Sequence, residues 1–199
     1  MIEIKKQITP DIKALIFDLD GTLANTIPLH LEAWEQVGSQ LGIPVTKEMI
    51  LAHSGTPTVK VAEILSKEHG WDVDTEVVKN LKFENYRKLK LKHGKIKAIK
   101  PILKIAREYH GRLPLAVGTG STRSGAMKSL EDINAVDLFD IIVTASEVEH
   151  PKPHPETFLR SANHFGLRPE ECIVFEDGAA GIKAAIKGGF KLIDVRDYL

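Results

Sequence analysis

Two carboxylates placed i and i+2 at the end of an apolar run are the residues of this chain best arranged to do chemistry: Ala14-Leu15-Ile16-Phe17-Asp18-Leu19-Asp20-Gly21-Thr22. Side chains two apart on a strand point the same way, so Asp18 and Asp20 are expected on one side of its carboxyl end. Acids this close repel and raise one pKa unless a cation sits between them. A hard divalent ion with oxygen ligands meets that need, and Mg²⁺ is the cofactor expected. One aspartate could then attack as a nucleophile while the other moves protons. An Asx turn closing a strand is the plainer account of the same letters.

Three later pieces supply what two aspartates lack. Leu115-Ala116-Val117-Gly118-Thr119-Gly120-Ser121 reads as a buried strand ending in a hydroxyl and a glycine-rich turn. Thr119, Gly120 and Ser121 can hold phosphate oxygens at the start of the next helix, although an ordinary strand-to-helix cap explains the run as well. Lys152 lies in Glu149-His150-Pro151-Lys152-Pro153-His154-Pro155, whose prolines restrict the backbone that presents it, and it is expected as an active-site cation. Ile173-Val174-Phe175-Glu176-Asp177-Gly178 repeats the opening logic and delivers Glu176 and Asp177 at a strand tip, where they can complete an oxygen-rich Mg²⁺ shell. His150 and His154 bracket Lys152 without a recognisable transition-metal set beside them, so zinc is not expected.

These groups need a scaffold that brings distant strand ends together. Strand-like runs recur at 14–18, 114–119, 141–144, 172–175 and 191–195, with helical patterns between most of them. Leu159, Ala162 and Phe165 form one helical stripe with Gly166 at its end; Ile182, Ala185 and Ile186 form another, closed by Gly188-Gly189. The alternation predicts an α/β fold, a parallel sheet with helices on both faces. Residues 25–94 break the pattern with several helical stretches and no buried strand. They are expected to form a helical cap over a core made of 1–24 and 95–199, standing at the carboxyl ends of the strands where α/β sites form.

Bulk properties exclude more than they assign. The chain has 199 residues, 43% hydrophobic, enough for one good core with a small insertion. Its 27 basic and 27 acidic residues balance, so nothing in the charge recruits nucleic acid or an anionic membrane. Met1-Ile2-Glu3-Ile4-Lys5-Lys6 does not resemble a signal peptide, and the single Cys172, at the entrance of a buried strand, fits a reducing cytoplasm. The expectation is a cytoplasmic protein, monomeric or weakly homo-oligomeric.

With these four pieces in order, the chain resembles the haloacid dehalogenase superfamily of phosphohydrolases over nearly its whole length. Asp18-Leu19-Asp20-Gly21-Thr22 looks like the first motif, Thr119 with Gly120-Ser121 the second, Lys152 the third and Glu176-Asp177 the fourth. The resemblance implies a Rossmann-like core and a small helical cap. It also implies Asp18 as nucleophile and Asp20 as general acid/base, with Thr119 and Lys152 holding the transferring phosphoryl group. Mg²⁺ would be bound by Asp18, the backbone carbonyl of Asp20 and Asp177, with Glu176 in or beside its shell. Pro28 to Trp34 and His53 to Thr58 narrow the likeness to the β-phosphoglucomutase-like branch, especially its fructose-1-phosphate phosphatase members. The partner implied is a small phosphorylated metabolite.

Departures and cap residues carry the rest. Asn25 stands where many relatives have Asp. Thr58 stands where sugar-phosphate mutases carry an Arg for a second phosphate, which moves the expectation from mutase toward phosphatase; a catalytically silent binding module is the alternative of another class. Thr26, His30 and Trp34 recur at i, i+4 and i+8 and should share a helix face. By the resemblance His30 and Trp34 border the pocket and Lys88 faces substrate from the cap, although Trp34 as packing and Lys88 on a solvated basic face are the simpler accounts.

Overall fold

Strands β1 (Ala14–Phe17), β2 (Leu115–Gly118), β3 (Ile141–Val143), β4 (Cys172–Glu176) and β5 (Lys191–Asp194) form a parallel sheet in the order β3-β2-β1-β4-β5. This computed structural model describes residues 2–198. Helices are α1 (Ile2–Gln7), α2 (Ile27–Leu41), α3 (Lys47–Ala52), α4 (Thr58–His69), α5 (Thr75–His93), α6 (Lys100–Tyr109), α7 (Arg123–Asp132), α8 (Glu156–His164) and α9 (Ala179–Lys187). All five strand-like runs of the sequence are strands; four are trimmed by one or two residues at their ends, and β4 runs one residue further, to Glu176.

The buried strands show why the runs are apolar throughout. In β1, Leu15 and Phe17 face a cluster with Ile102, Ile105 and Leu130, while Ala14 and Ile16 face Phe158, Ala162, Ala184 and Ala185. A period-2 strand covered on both sides has no polar position to spare. Phe17 and Phe175 stack across the β1–β4 pair with centroids 4.5 Å apart. The second face is lined largely by alanines, which lets α8 and α9 lie close to the sheet.

Chain order makes β1 the switch point. Its neighbours β2 and β4 come from crossovers on opposite sides, so a crevice opens beyond its carboxyl end. The insertion after β1 contains α2 to α5, whose own core includes Trp34, Val37, Val61, Leu65 and Val78. Its two stems meet where Ala24 bridges Ala98 and the Asn25 N–H donates to the Lys97 carbonyl. Among the described residues no helix is long and apolar enough to cross a membrane.

Phe175→Ala removes a fully buried ring from the sheet and should cost about 3–5 kcal/mol in urea unfolding. Ile186→Ala, on the solvent side of α9, should stay within about 0.5 kcal/mol by the same measurement.

Candidate active site

Three strand ends and one connecting segment converge in the crevice. Asp18 follows β1, Thr119 follows β2, Glu176 ends β4 and Asp177 follows it. Lys152 arrives from the segment between β3 and α8, across a cis Lys152–Pro153 bond. Its ammonium is fully buried and donates to Asp18 Oδ1 at 2.6 Å, Glu176 Oε2 at 2.8 Å and the Gly118 carbonyl at 3.0 Å. Its three donors therefore rest on protein acceptors, so Lys152 orients the Asp18 carboxylate, and a phosphoryl group would have to share it. Burial works against its charge, but Asp18 and Glu176 more than offset this and hold its pKa above the ordinary value.

The acids are not equivalent. Glu176 is wholly enclosed, and its second oxygen accepts the N–H groups of Asp177 and Gly178 at 3.1 and 2.8 Å. Both its oxygens are thus engaged with protein donors. Burial, then the Glu176 charge, pushes the Asp18 carboxyl well above its usual range. The anticipated repulsion is real, but its main charged source is Glu176, and Asp20 contributes least of the named neighbours. Asp177 is raised to about 7, first by burial and then by Glu176, although the Thr22 hydroxyl donates to it at 2.8 Å.

Carboxylate oxygens of Asp18, Glu176 and Asp177 lie within 4.8 Å of one another. Three acids against one lysine leave a surplus of negative charge in a confined, oxygen-lined place, which fits a hard divalent cation. Gly21, at φ 95°, gives the cluster its room: a Cβ there would stand 2.1 Å from Asp177 Oδ2. The Asp20 side chain is turned out of this cluster, so only its backbone carbonyl remains available for the metal role expected of it.

Asp20 instead joins core to cap. Thr26 donates to its Oδ1 at 2.7 Å and Ser121 to its Oδ2 at 2.6 Å, with Thr119 at 3.4 Å and His30 Nε2 3.5 Å from Oδ1. Burial pushes its pKa up, but hydrogen bonds, from His30 first and then from Ser121 and Thr26, prevail and hold it below the carboxylate range. Lys82 Nζ lies 2.8 Å from His30 Nδ1, and Tyr86 stacks on the His30 ring at 4.5 Å. Burial and the Lys82 charge lower the His30 pKa against the opposing pull of Asp20, which favours the neutral ring.

A cavity of about 650 Å³ lies between cap and core and reaches Asp18, Asp20, Thr119, Gly120 and Ser121. His30 and Trp34 line it, as expected, although Trp34 is almost wholly packed into the cap core. Lys88 does not: it is exposed and pairs with Glu84 at 2.8 Å. The reason is helical phase, since Lys79, Lys82, Phe83, Tyr86 and Lys90 form the inward stripe of α5 and position 88 falls off it. Lys82 and Tyr86 were missed; their i, i+4 spacing, continued by Lys79 and Lys90, was the available signal. The loop at Ser54 and Gly55 closes over the core so tightly that a Cβ on Gly120 would sit 2.7 Å from the Gly55 carbonyl oxygen.

Residues 15–195 match the haloacid dehalogenase-like hydrolase family. The chain belongs to that family. It is 36% identical over 182 residues to the fructose-1-phosphate phosphatase YqaB of Escherichia coli K12, covering 92% of this chain and 95% of that one. It is 28% identical to the β-phosphoglucomutase of Bacillus subtilis 168, covering 92% and 83%. A crystal structure of a hydrolase from Pseudomonas syringae shares the fold with a TM-score of 0.81 at 24% identity, over 90% of this chain and 83% of that one. Family membership and the carboxylate cluster make this chain an enzyme of the phosphatase kind.

Gly181→Ala should leave circular dichroism unchanged but lower phosphate release at least about 10-fold, because its Cβ would lie 1.7 Å from Glu176 Oε2 and push that oxygen off Lys152. A second expectation concerns Lys82, whose pKa burial brings down to about 8. Below that pH it is an ammonium facing the cavity, and above it the charge is lost, so KM for an anionic substrate should rise through about pH 8. Lys82→Met should raise KM at neutral pH and erase that limb.

Proposed function

We propose that this enzyme is a Mg²⁺-dependent phosphomonoester hydrolase acting on a small sugar phosphate, with fructose 1-phosphate the first substrate to try. The observation that carries it is Asp18, buried, gripped on one oxygen by Lys152 and facing a capped cavity that also holds the separately tethered Asp20. On this reading 1–24 with 95–199 is the catalytic core, 25–94 the cap, and the cytoplasm the place of action. When bound at Asp18, Asp177 and the Asp20 carbonyl, Mg²⁺ would neutralise phosphate oxygens and keep Asp18 ionised.

The chain's own groups then divide the work. The free oxygen of Asp18 attacks phosphorus and becomes an aspartyl-phosphate, while Asp20 gives its proton to the departing sugar oxygen. Asp20 is an ionised base in the structure; an incoming phosphate dianion raises its pKa and supplies the condition for it to carry that proton. Water next hydrolyses the aspartyl-phosphate and Asp20 accepts its proton. Thr119, Ser121 and the Gly120 segment hold the phosphoryl oxygens, and the cap excludes bulk water.

The mutase reading keeps one specific support. Thr58 lines the cavity without a guanidinium, but Lys79, Lys82, Arg87, Lys90 and Lys128 line it too. Lys79 and Lys90 are paired with Glu76 and Asp132, which leaves less positive charge for a second phosphate than the count suggests.

The deciding experiment is phosphate release over a metabolite panel, with Mg²⁺ and with EDTA, beside a bisphosphate-primed conversion of β-glucose 1-phosphate to glucose 6-phosphate. Mg²⁺-dependent release from a sugar phosphate is expected; primed isomerisation with little release would favour the mutase. Asp18→Asn should abolish turnover and trapping by trifluoroberyllate. Asp20→Asn should lose at least about 10²-fold with alkyl phosphates and less with activated aryl phosphates, whose leaving groups need little proton assistance.

A further inference from the structure

The segment that presents Lys152 carries a second cluster of ligating side chains on its outer side. His150, His154 and Glu156, none of which the phosphatase chemistry uses, bring a ligand atom each within 4.8 Å of one another. Glu149 and His150 N–H groups donate to the two Glu156 oxygens at 3.1 and 2.9 Å, and Arg160 holds Oε1 at 2.8–2.9 Å. Those backbone bonds hold the Glu156 carboxyl down to about 2, so it is ionised at neutral pH. Its Oε2 stands 3.2 Å from His150 Nδ1. Zinc bonds of about 2.0–2.2 Å set tetrahedral ligands roughly 3.3–3.5 Å apart, so this pair already has nearly the spacing a shared ion needs. His154, its ring centroid 4.8 Å from that of His150, accepts the Glu156 N–H at Nδ1 over a long 3.3 Å, a contact a metal–nitrogen bond would replace.

We propose that His150, His154 and Glu156 form a surface site for a divalent transition-metal ion of the zinc class, separate from the carboxylate cluster, which clamps both flanks of Lys152. Two imidazoles select such an ion over Mg²⁺, while the three-carboxylate cluster has the opposite preference. Glu156 arrives pre-oriented by Arg160 and two backbone N–H groups, the kind of support that tunes a ligand. Water completes the shell, since the histidines are exposed. Metal and protons compete for imidazole nitrogens, so affinity rises with pH.

The test is calorimetric titration of the whole protein with Zn²⁺ in millimolar Mg²⁺, for wild type, the His150→Ala/His154→Ala double variant and Asp177→Asn, with thermal melts and amide exchange alongside. The expected result is one Zn²⁺ bound by wild type and by Asp177→Asn, a higher melting temperature, and slowed exchange over residues 148–156. Affinity in the double-histidine variant should fall at least about 10-fold, the loss that even outer-shell changes cause. Absence of Zn²⁺ binding in wild type, unchanged binding in the double-histidine variant, or binding lost in Asp177→Asn alone would each overturn the site.

Discussion

Burying a lysine between two carboxylates is the constraint on which the rest of this structure depends. Removing each such ion from water costs several kcal/mol even after relaxation, and the charge persists only where its hydrogen bonds are saturated. Lys152 finds three acceptors, and Glu176 receives the ammonium and two backbone N–H groups. Asp18 has no such saturation beyond the ammonium, and Asp177 adds a further acid nearby. The cluster is therefore short of positive charge by construction. Apolar replacements of buried ion pairs are often as stable or more so, which makes the retained charge a mark of chemistry rather than of folding.

Sheet topology explains why that cluster can exist at all. Backbone amides are spent within the strands and become available only where strands end, and three strand ends meet beside β1 because its neighbours diverge there. The N–H groups of Asp177 and Gly178 serve Glu176 because β4 has just ended. The cap meets the same place through Asp20, whose oxygens are shared by Ser121 of the core and Thr26 of the cap stem. Through His30, the Lys82 charge on α5 is linked to Asp20 without touching it.

Much of this was legible in the sequence because its signals are local. Ala14 to Phe17 had to be a two-face strand, and the acids after it had to lie at its tip; the same argument held for Ile173 to Glu176. What was not legible depended on register. The choice between Lys82 and Lys88 is a matter of helical phase within a basic stretch, where neighbouring lysines look alike until the packing of α5 against α2 fixes the rotation. Glu156 beside His150 escaped notice for another reason. It joins the histidines only because α8 begins there and turns its first carboxylate back onto the preceding segment. The source of repulsion on Asp18 was misassigned to its neighbour in sequence, since Glu176, 158 positions away, approaches only once β1 and β4 pair.

In the proposed reaction both aspartates are biased away from the charge states that its first step needs. Asp18, the nucleophile of the proposed reaction, is pushed toward its neutral form by burial and by Glu176. Asp20, the proton donor of that proposed reaction, is held toward its ionised form by His30, Ser121 and Thr26. A cation beside Asp18 lowers its pKa, and a phosphate dianion beside Asp20 raises its pKa, so metal and substrate together reverse both tendencies. The resting arrangement then suits the second step, in which Asp20 must take a proton from water. In the proposed reaction metal and substrate thus favour the first step together, and that bias follows from where the buried carboxylates lie rather than from any motion of the cap.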